Sequence, residues 1–212
     1  MSDLYDAILN GNAPAAAEAA RKALDGGAAA LGLVQRDMVP AMDEVGRRFE
    51  CEDYFVPELL LAARAMKAAL ALIRPLLVSS GAEPAGRVVI GTVKGDLHDI
   101  GKNIVASMLE GGGFEVIDLG ADVSPRAFVD AVRANRANLV CLSALLTVTM
   151  PSMKTTIEAL AAAGLRGQAK ILVGGAPVTQ RYADEIGADG YGENAAVAVA
   201  LARRLAAEHE SR

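Results

Sequence analysis

The segment Gly95-Asp96-Leu97-His98-Asp99-Ile100-Gly101-Lys102-Asn103 holds one of only two histidines in the chain, the other being His209 near its end. In an extended loop, residues two apart face the same way, so Asp96 and His98 can act as a pair. A carboxylate that accepts one imidazole N–H fixes the tautomer and leaves the other nitrogen for a metal or a proton. The same residues could instead serve the following helix, His98 as a cap and Asp96 and Asp99 as partners of its N-terminal dipole. A metal centre made by the protein alone does not follow. Structural zinc takes four nitrogen or sulfur ligands, and no second histidine or cysteine lies near the loop. His98 by itself suits a metal whose other positions are already filled, such as cobalt or iron in a macrocycle.

The elements that must position this loop are read from periodicity. Val88-Val89-Ile90-Gly91-Thr92-Val93 is a β-branched run ending just before the loop, and a helix is expected from about Lys102 to Leu109. The alternation repeats, with strands at 115–119, 138–142, 170–173 and 189–191 and helices at about 125–136, 151–163, 178–186 and 194–208. Continuous apolar strands between amphipathic helices imply a parallel sheet covered on both faces. The expected fold is α/β: a flavodoxin-like, doubly wound domain with a five-stranded parallel sheet in the order 2-1-3-4-5. In that order ligands sit outside the carboxyl ends of the strands, where the order reverses. The loops at that end are Lys94–Gly101, Ser143–Met150, Gly174-Gly175-Ala176 and Gly192-Glu193-Asn194.

The first third of the chain is helical in pattern. Asn12 can cap a helix with Pro14 in its first turn, and Asp25-Gly26-Gly27 ends it. An amphipathic stretch from Ala28 to Phe49 and another from Pro57 to Arg74 join an opening helix at 2–10 in a bundle of about four helices. The small residues and proline of Ser79–Gly86 form a linker. The expected domains are therefore a helical cap at 1–84 and a Rossmann-like domain at 85–212.

Composition removes several functions. Residues 1–86 carry 12 acids and 8 bases and residues 87–212 carry 14 and 13, so neither part offers a basic track for nucleic acid or a polybasic membrane anchor. No uncharged stretch reaches the roughly 18 apolar residues of a membrane span. With a polar, acidic start, the expected location is cytoplasmic. Cys51 and Cys141 are expected as free thiols without a role.

Taken together, Asp96-Leu97-His98-Asp99-Ile100-Gly101, Ser143-Ala144-Leu145 and Gly174-Gly175 resemble the D-x-H-x-x-G, S-x-L and G-G elements of cobalamin-binding domains. Val88–Val105 is similar to the corrinoid modules of methionine synthase and of the small methyl-carrier proteins of one-carbon metabolism, and Val45–Met66 resembles the helical cap of that family. The resemblance implies cobalamin or a related cobamide bound base-off, with His98 as the lower axial ligand of cobalt and Asp96 behind it as its catalytic partner. It implies cofactor contacts from Gly95, Asp99, Ile100, Gly101, Ser143, Leu145, Thr147, Gly174, Gly175 and Gly192. Thr149 stands where a hydroxyl extends the histidine–aspartate pair, or alternatively caps the helix beginning near Pro151. From the cap, Phe49, Val56 and Leu59 match positions that cover the upper face of the corrin, whereas Phe55 and Leu60 read as bundle core.

The implied activity is methyl carriage, the cofactor alternating between methylcobalamin and cob(I)alamin. The implied partners are a substrate-specific methyltransferase, a second methyltransferase acting on tetrahydrofolate or a thiol, and a reductive activase, with residues 79–86 as a hinge. A cobalamin-dependent sensor is the alternative, although no basic DNA-binding head precedes the cap. A mutase would need a substrate barrel for which 212 residues leave no room. A phosphoreceiver is disfavoured because Ser143 stands where an acceptor aspartate would be expected, and a flavodoxin because the first loop is acidic.

Overall fold

Ser2 opens the first helix, its hydroxyl accepting the Tyr5 N–H at 3.1 Å ahead of α1 (Asp3–Leu9). Asn12 does the same for α2 (Ala13–Asp25), with Pro14 in the first turn. The stretch expected as one helix from Ala28 to Phe49 is instead α3 (Ala30–Leu33), a π-helical turn at Val34–Met38, and α4 (Val39–Glu50). Pro40 explains the change. It has no N–H to return to Arg36, and the Val39 N–H just before it reaches back five residues to Val34. Helix α5 (Val56–Ser79) outruns its expected end at Arg74 and passes through Pro75. The Ala71 carbonyl that Pro75 cannot bond lies on an exposed stretch, where water can satisfy it. The bundle buries Ile8, Met38, Met42, Val45, Leu59, Met66 and Ile73.

This computed structural model describes residues 2–79 and 84–210, so most of the expected linker lies outside the described residues. The chain forms two compact units, Met1–Pro84 with Glu110–Gly113, and Ala85–Leu109 with Phe114–Arg212. Among the described residues no helix is long and apolar enough to cross a membrane.

The second unit alternates β1 (Arg87–Thr92), α6 (Ile100–Gly111), β2 (Glu115–Asp118), α7 (Pro125–Asn135), β3 (Leu139–Ser143), α8 (Pro151–Ala162), β4 (Lys170–Gly174), α9 (Gln180–Ile186), β5 (Gly190–Gly192) and α10 (Ala195–Glu210). Every strand pair is parallel and the order is β2-β1-β3-β4-β5, as the alternation implies. The central strands β1 and β3 are buried along almost their whole length, which is why they read as unbroken apolar runs. Phe128 of α7 and Met153 and Leu160 of α8 pack with Val89, Val140, Leu142 and Ile171 of the sheet.

Candidate functional site

Strand register brings the expected loops to one edge. Thr92 pairs with Ser143, Ser143 with Gly174, and Gly174 with Gly192, so the carboxyl ends of four strands form a single row. Side-chain bulk falls along that row from threonine to glycine. Gly175, just beyond it, has φ +131, and a Cβ there would lie 1.9 Å from the Ala144 carbonyl oxygen. The sequence-level reason for this glycine, room for a bulky ligand, is therefore incomplete, because the β3 loop itself occupies that space. Gly101 is the opposite case. A Cβ at that position would meet nothing within 4 Å, so no neighbouring atom of the protein demands a glycine there.

Asp96 is the centre of the β1 loop. Its side chain is fully buried, and five donors converge on its two oxygens. Oδ1 accepts the His98 backbone N–H at 3.0 Å and faces His98 Nδ1 at 2.8 Å. Oδ2 accepts the N–H groups of Leu145 and Leu146 at 2.8 and 3.2 Å and the Thr149 hydroxyl at 2.7 Å. Burial alone would push this carboxyl up. The Thr149 hydroxyl, the His98 and Leu145 N–H groups and the His98 ring more than offset that, holding it well below the usual carboxylate range.

An ionised Asp96 can only accept, so His98 Nδ1 must carry the proton. Nε2 is then the ring nitrogen left to meet a metal, and it makes no hydrogen bond among the described residues. The ring is half exposed, at 50%. The Thr92 hydroxyl holds the His98 carbonyl at 3.0 Å, fixing the other side of the residue. Neither His98 nor Thr149 caps a helix, although Asp99 does stand at the N-terminus of α6, as its alternative reading has it. Helix α6 begins only at Ile100, and the N-cap of α8 is Met150, without a side-chain bond. Thr149 instead serves Asp96.

Around these polar groups the same two loops present apolar side chains to solvent. Leu97, Ile100, Leu145, Leu146 and Val148 are all exposed, Val148 the most, at 81%. Gly95, Thr147 and Gly101 are also exposed, and Asp99, Ser143, Gly174 and Gly192 are half-buried. The site is thus an outward imidazole among exposed aliphatic groups. Such a surface fits a large, partly apolar, planar ligand bearing a metal.

The cap residues separate in another way. Leu59 is buried, Phe49 half-buried and Val56 exposed. Phe55 and Leu60 are not core as expected: both are exposed, Phe55 at 62%. Phe55 lies just ahead of α5, and Leu60 follows the buried Leu59 by one residue, which turns it to the outward side of the helix. Tyr54 stitches the cap together, its hydroxyl donating to the Leu9 carbonyl at 3.2 Å and its ring lying under the Arg48 guanidinium. Cys51 and Cys141 are free thiols, the second buried and pushed up to about 12.

Several residues that grip the His98 loop were not singled out by sequence. Asp122 accepts the Gly95 N–H at 2.8 Å and pairs with Lys94, and these two hold its carboxyl below its ordinary range. Lys102, almost fully buried, bonds Asp118 at the end of β2 and the Asn103 side chain at 2.6 Å. The signal for both acids was the strand order itself, since β2 beside β1 sets the loop after β2 against the loop after β1.

Comparison with known proteins decides the family. Residues 86–200 match a family model described as a B12 binding domain, and residues 2–74 match a second model of the same description. The chain belongs to the B12-binding corrinoid proteins. It is 45% identical over 192 residues to trimethylamine corrinoid protein 1 of Methanosarcina mazei, covering 90% of this chain and 89% of that one. Among solved structures it is similar to a cobalamin-binding protein from Desulfitobacterium hafniense, at 36% identity and a TM-score of 0.80, covering 95% and 96% of the two chains. It is also similar to a methanol:cobalamin methyltransferase complex from Methanosarcina barkeri, at 30% identity and a TM-score of 0.84, covering 97% and 78%. The cofactor of the family, cobalamin or a related corrinoid, fits the residues present. The free Nε2, the exposed aliphatic groups beside it and the open space over Gly101 match a metal held in a broad, hydrocarbon-rimmed ring.

Proposed function

We propose that this protein is a methyl carrier that holds its corrinoid base-off, with His98 as the lower ligand of cobalt. It shuttles a methyl group from a substrate-specific methyltransferase to a second methyltransferase acting on tetrahydrofolate or a thiol. The similarity to a trimethylamine corrinoid protein and to a methanol:cobalamin methyltransferase complex supports this role. A reductive activase and a cytoplasmic setting belong to the same proposal.

The bound corrinoid supplies a cobalt that can accept and release a methyl group. The chain's own work is to present one nitrogen in one orientation. Asp96 keeps the Nδ1 proton on His98 and thereby raises the basicity of Nε2. Thr149, Leu145 and Leu146 keep Asp96 ionised and immobile, so a positive charge gathering on the imidazole meets a fixed negative one. Leu97, Ile100 and Val148 offer apolar contact that keeps water from Nε2 once a ligand covers it.

The observation that carries the proposal is the 2.8 Å contact between His98 Nδ1 and a fully buried carboxylate, with Nε2 left unengaged. The test is reconstitution of the full chain with hydroxocobalamin. The wild-type protein should give the absorption spectrum of a histidine-ligated corrinoid, and His98→Ala should change it. Identical spectra would remove His98 as the ligand.

A further inference from the structure

The loop that follows β2 touches the His98 loop before, within and after the histidine. Ahead of it, the Gly120 carbonyl accepts the Thr92 N–H at 2.9 Å, and Val93 bridges to Val123. Within it, Asp122 closes a small ring: its Oδ1 accepts the Gly95 N–H at 2.8 Å, and its own N–H donates to the Asp96 carbonyl at 2.9 Å. Its Oδ2 takes the Lys94 ammonium at 2.9 Å. Beyond it, Asp118 holds the buried ammonium of Lys102 and also accepts the Gly120 N–H at 2.8 Å. Two acids, one at each end of one short loop, therefore tie down both flanks of the ligand-bearing segment.

Gly95 is where such a tie is needed. Its φ is +87 and no side chain limits it, so it is the link at which the segment could most easily swing. Movement there would carry Asp96 with it. Asp96 holds His98 through two bonds, one to its backbone N–H and one to the ring, so any displacement of the Asp96 backbone is passed to the ring. Ligand groups lose function when misplaced by about 0.5 Å or 10–20°.

We infer that Asp122 is a positioning residue for the cobalt ligand: from the loop after the neighbouring strand it bonds the Gly95 N–H and the Asp96 carbonyl, the backbone groups on either side of the Gly95–Asp96 link, and so aims His98 through Asp96. This inference rests on the proposed role of His98. Asp122 is itself in the left-handed region, with φ +56, which asparagine and glycine tolerate and most other residues do not. That allows conformation and hydrogen bonding to be separated. Asp122→Gly keeps the backbone and deletes the acceptor, whereas Asp122→Asn keeps both.

The experiment compares full-length wild type, Asp122→Gly, Asp122→Asn, Asp122→Ser and His98→Ala, each loaded with hydroxocobalamin, by absorption spectrum and by thermal melting. The fraction of bound cofactor showing histidine ligation should fall about three- to tenfold in Asp122→Gly, below or at the edge of what loss of a direct outer-shell partner does. Asp122→Asn should restore it to within about twofold of wild type. Asp122→Ser, whose hydroxyl stops one bond short of Oδ1, should match the glycine variant and stands in for it if that variant does not fold. Wild-type ligation in both Asp122→Gly and Asp122→Ser, with His98→Ala altered, overturns the positioning role alone. Failure of Asp122→Asn to restore ligation also overturns it, because the acceptor would not be what matters. A spectrum unchanged in His98→Ala removes the role of His98 instead.

Discussion

The His98 loop and the Phe49–Leu61 segment of the cap show two ways of presenting a surface. In the first, directional bonds decide everything. Asp96 is placed by five donors from two loops, and one of its oxygens holds the His98 ring by Nδ1. In the second, packing decides. Leu59 turns into the bundle while Phe55, Val56, Leu60 and Leu61 point outward, and no hydrogen bond distinguishes one apolar side chain from the next. A polar site is specified residue by residue; an apolar face is specified only by which side of a helix it falls on.

The most severe way to break this contrast is Asp96→Asn. The amide would set an NH2 group against donors, and the orphaned N–H groups and hydroxyl should cost about 2–4 kcal/mol in unfolding free energy. Urea titration of the full chain measures it, and a cost near zero would mean that the bonds around Asp96 do not order the loop. The matched change in the cap is Leu59→Ala, which should cost about 2–4 kcal/mol through a cavity, while Phe55→Ala stays within about 0.5 kcal/mol. Equal costs at the two cap positions would erase the inside–outside division of α5.

Smaller changes sharpen the comparison. Thr149→Val removes one donor from a buried carboxylate and should cost about 1–2 kcal/mol, with Thr149→Ser recovering most of it. If Thr149→Ser recovered nothing, the methyl group rather than the hydroxyl would matter. The smallest effect is expected at Glu44, which accepts from Arg47 and Arg48 and is lowered to about 2 by those bonds. A depressed carboxyl stabilises fully above its unfolded pKa, about 4.3, and loses that contribution as pH falls through the folded value. Melting temperatures of wild type and Glu44→Gln should therefore differ by a few degrees at most at pH 7 and converge as the pH approaches 2. A gap that persisted there would point to packing instead.

How much of this was legible in the sequence follows the same contrast. The order of the sheet could be read because alternation and short β-branched runs are local signals. The pairing of Asp96 with His98 could be read because it depends on residues two apart in one loop. The donors from Leu145 and Leu146 could not, because they are backbone groups that residue type does not reveal. Asp122 and Lys102 escaped because their partners are distant in sequence or arise only once β2 lies beside β1. Phe55 and Leu60 differ from expectation because an apolar residue near helical spacing defaults to the core, whereas Phe55 lies just ahead of α5 and Leu60 is one residue of rotation past the inward Leu59. The π-helical turn had only Pro40 as a clue, and a proline early in a helix ordinarily marks a clean start.

The five bonds on Asp96 carry a consequence for timing. Because the amides of Leu145 and Leu146 are engaged by a carboxylate of the chain itself, the loops should order as the sheet assembles rather than wait for a ligand. Little conformational freedom is left for the cofactor to remove, and capture should resemble insertion into a finished socket. In cofactor-free protein those two amides should exchange their hydrogens with solvent as slowly as the central strands, far behind the rest of the exposed β3 loop.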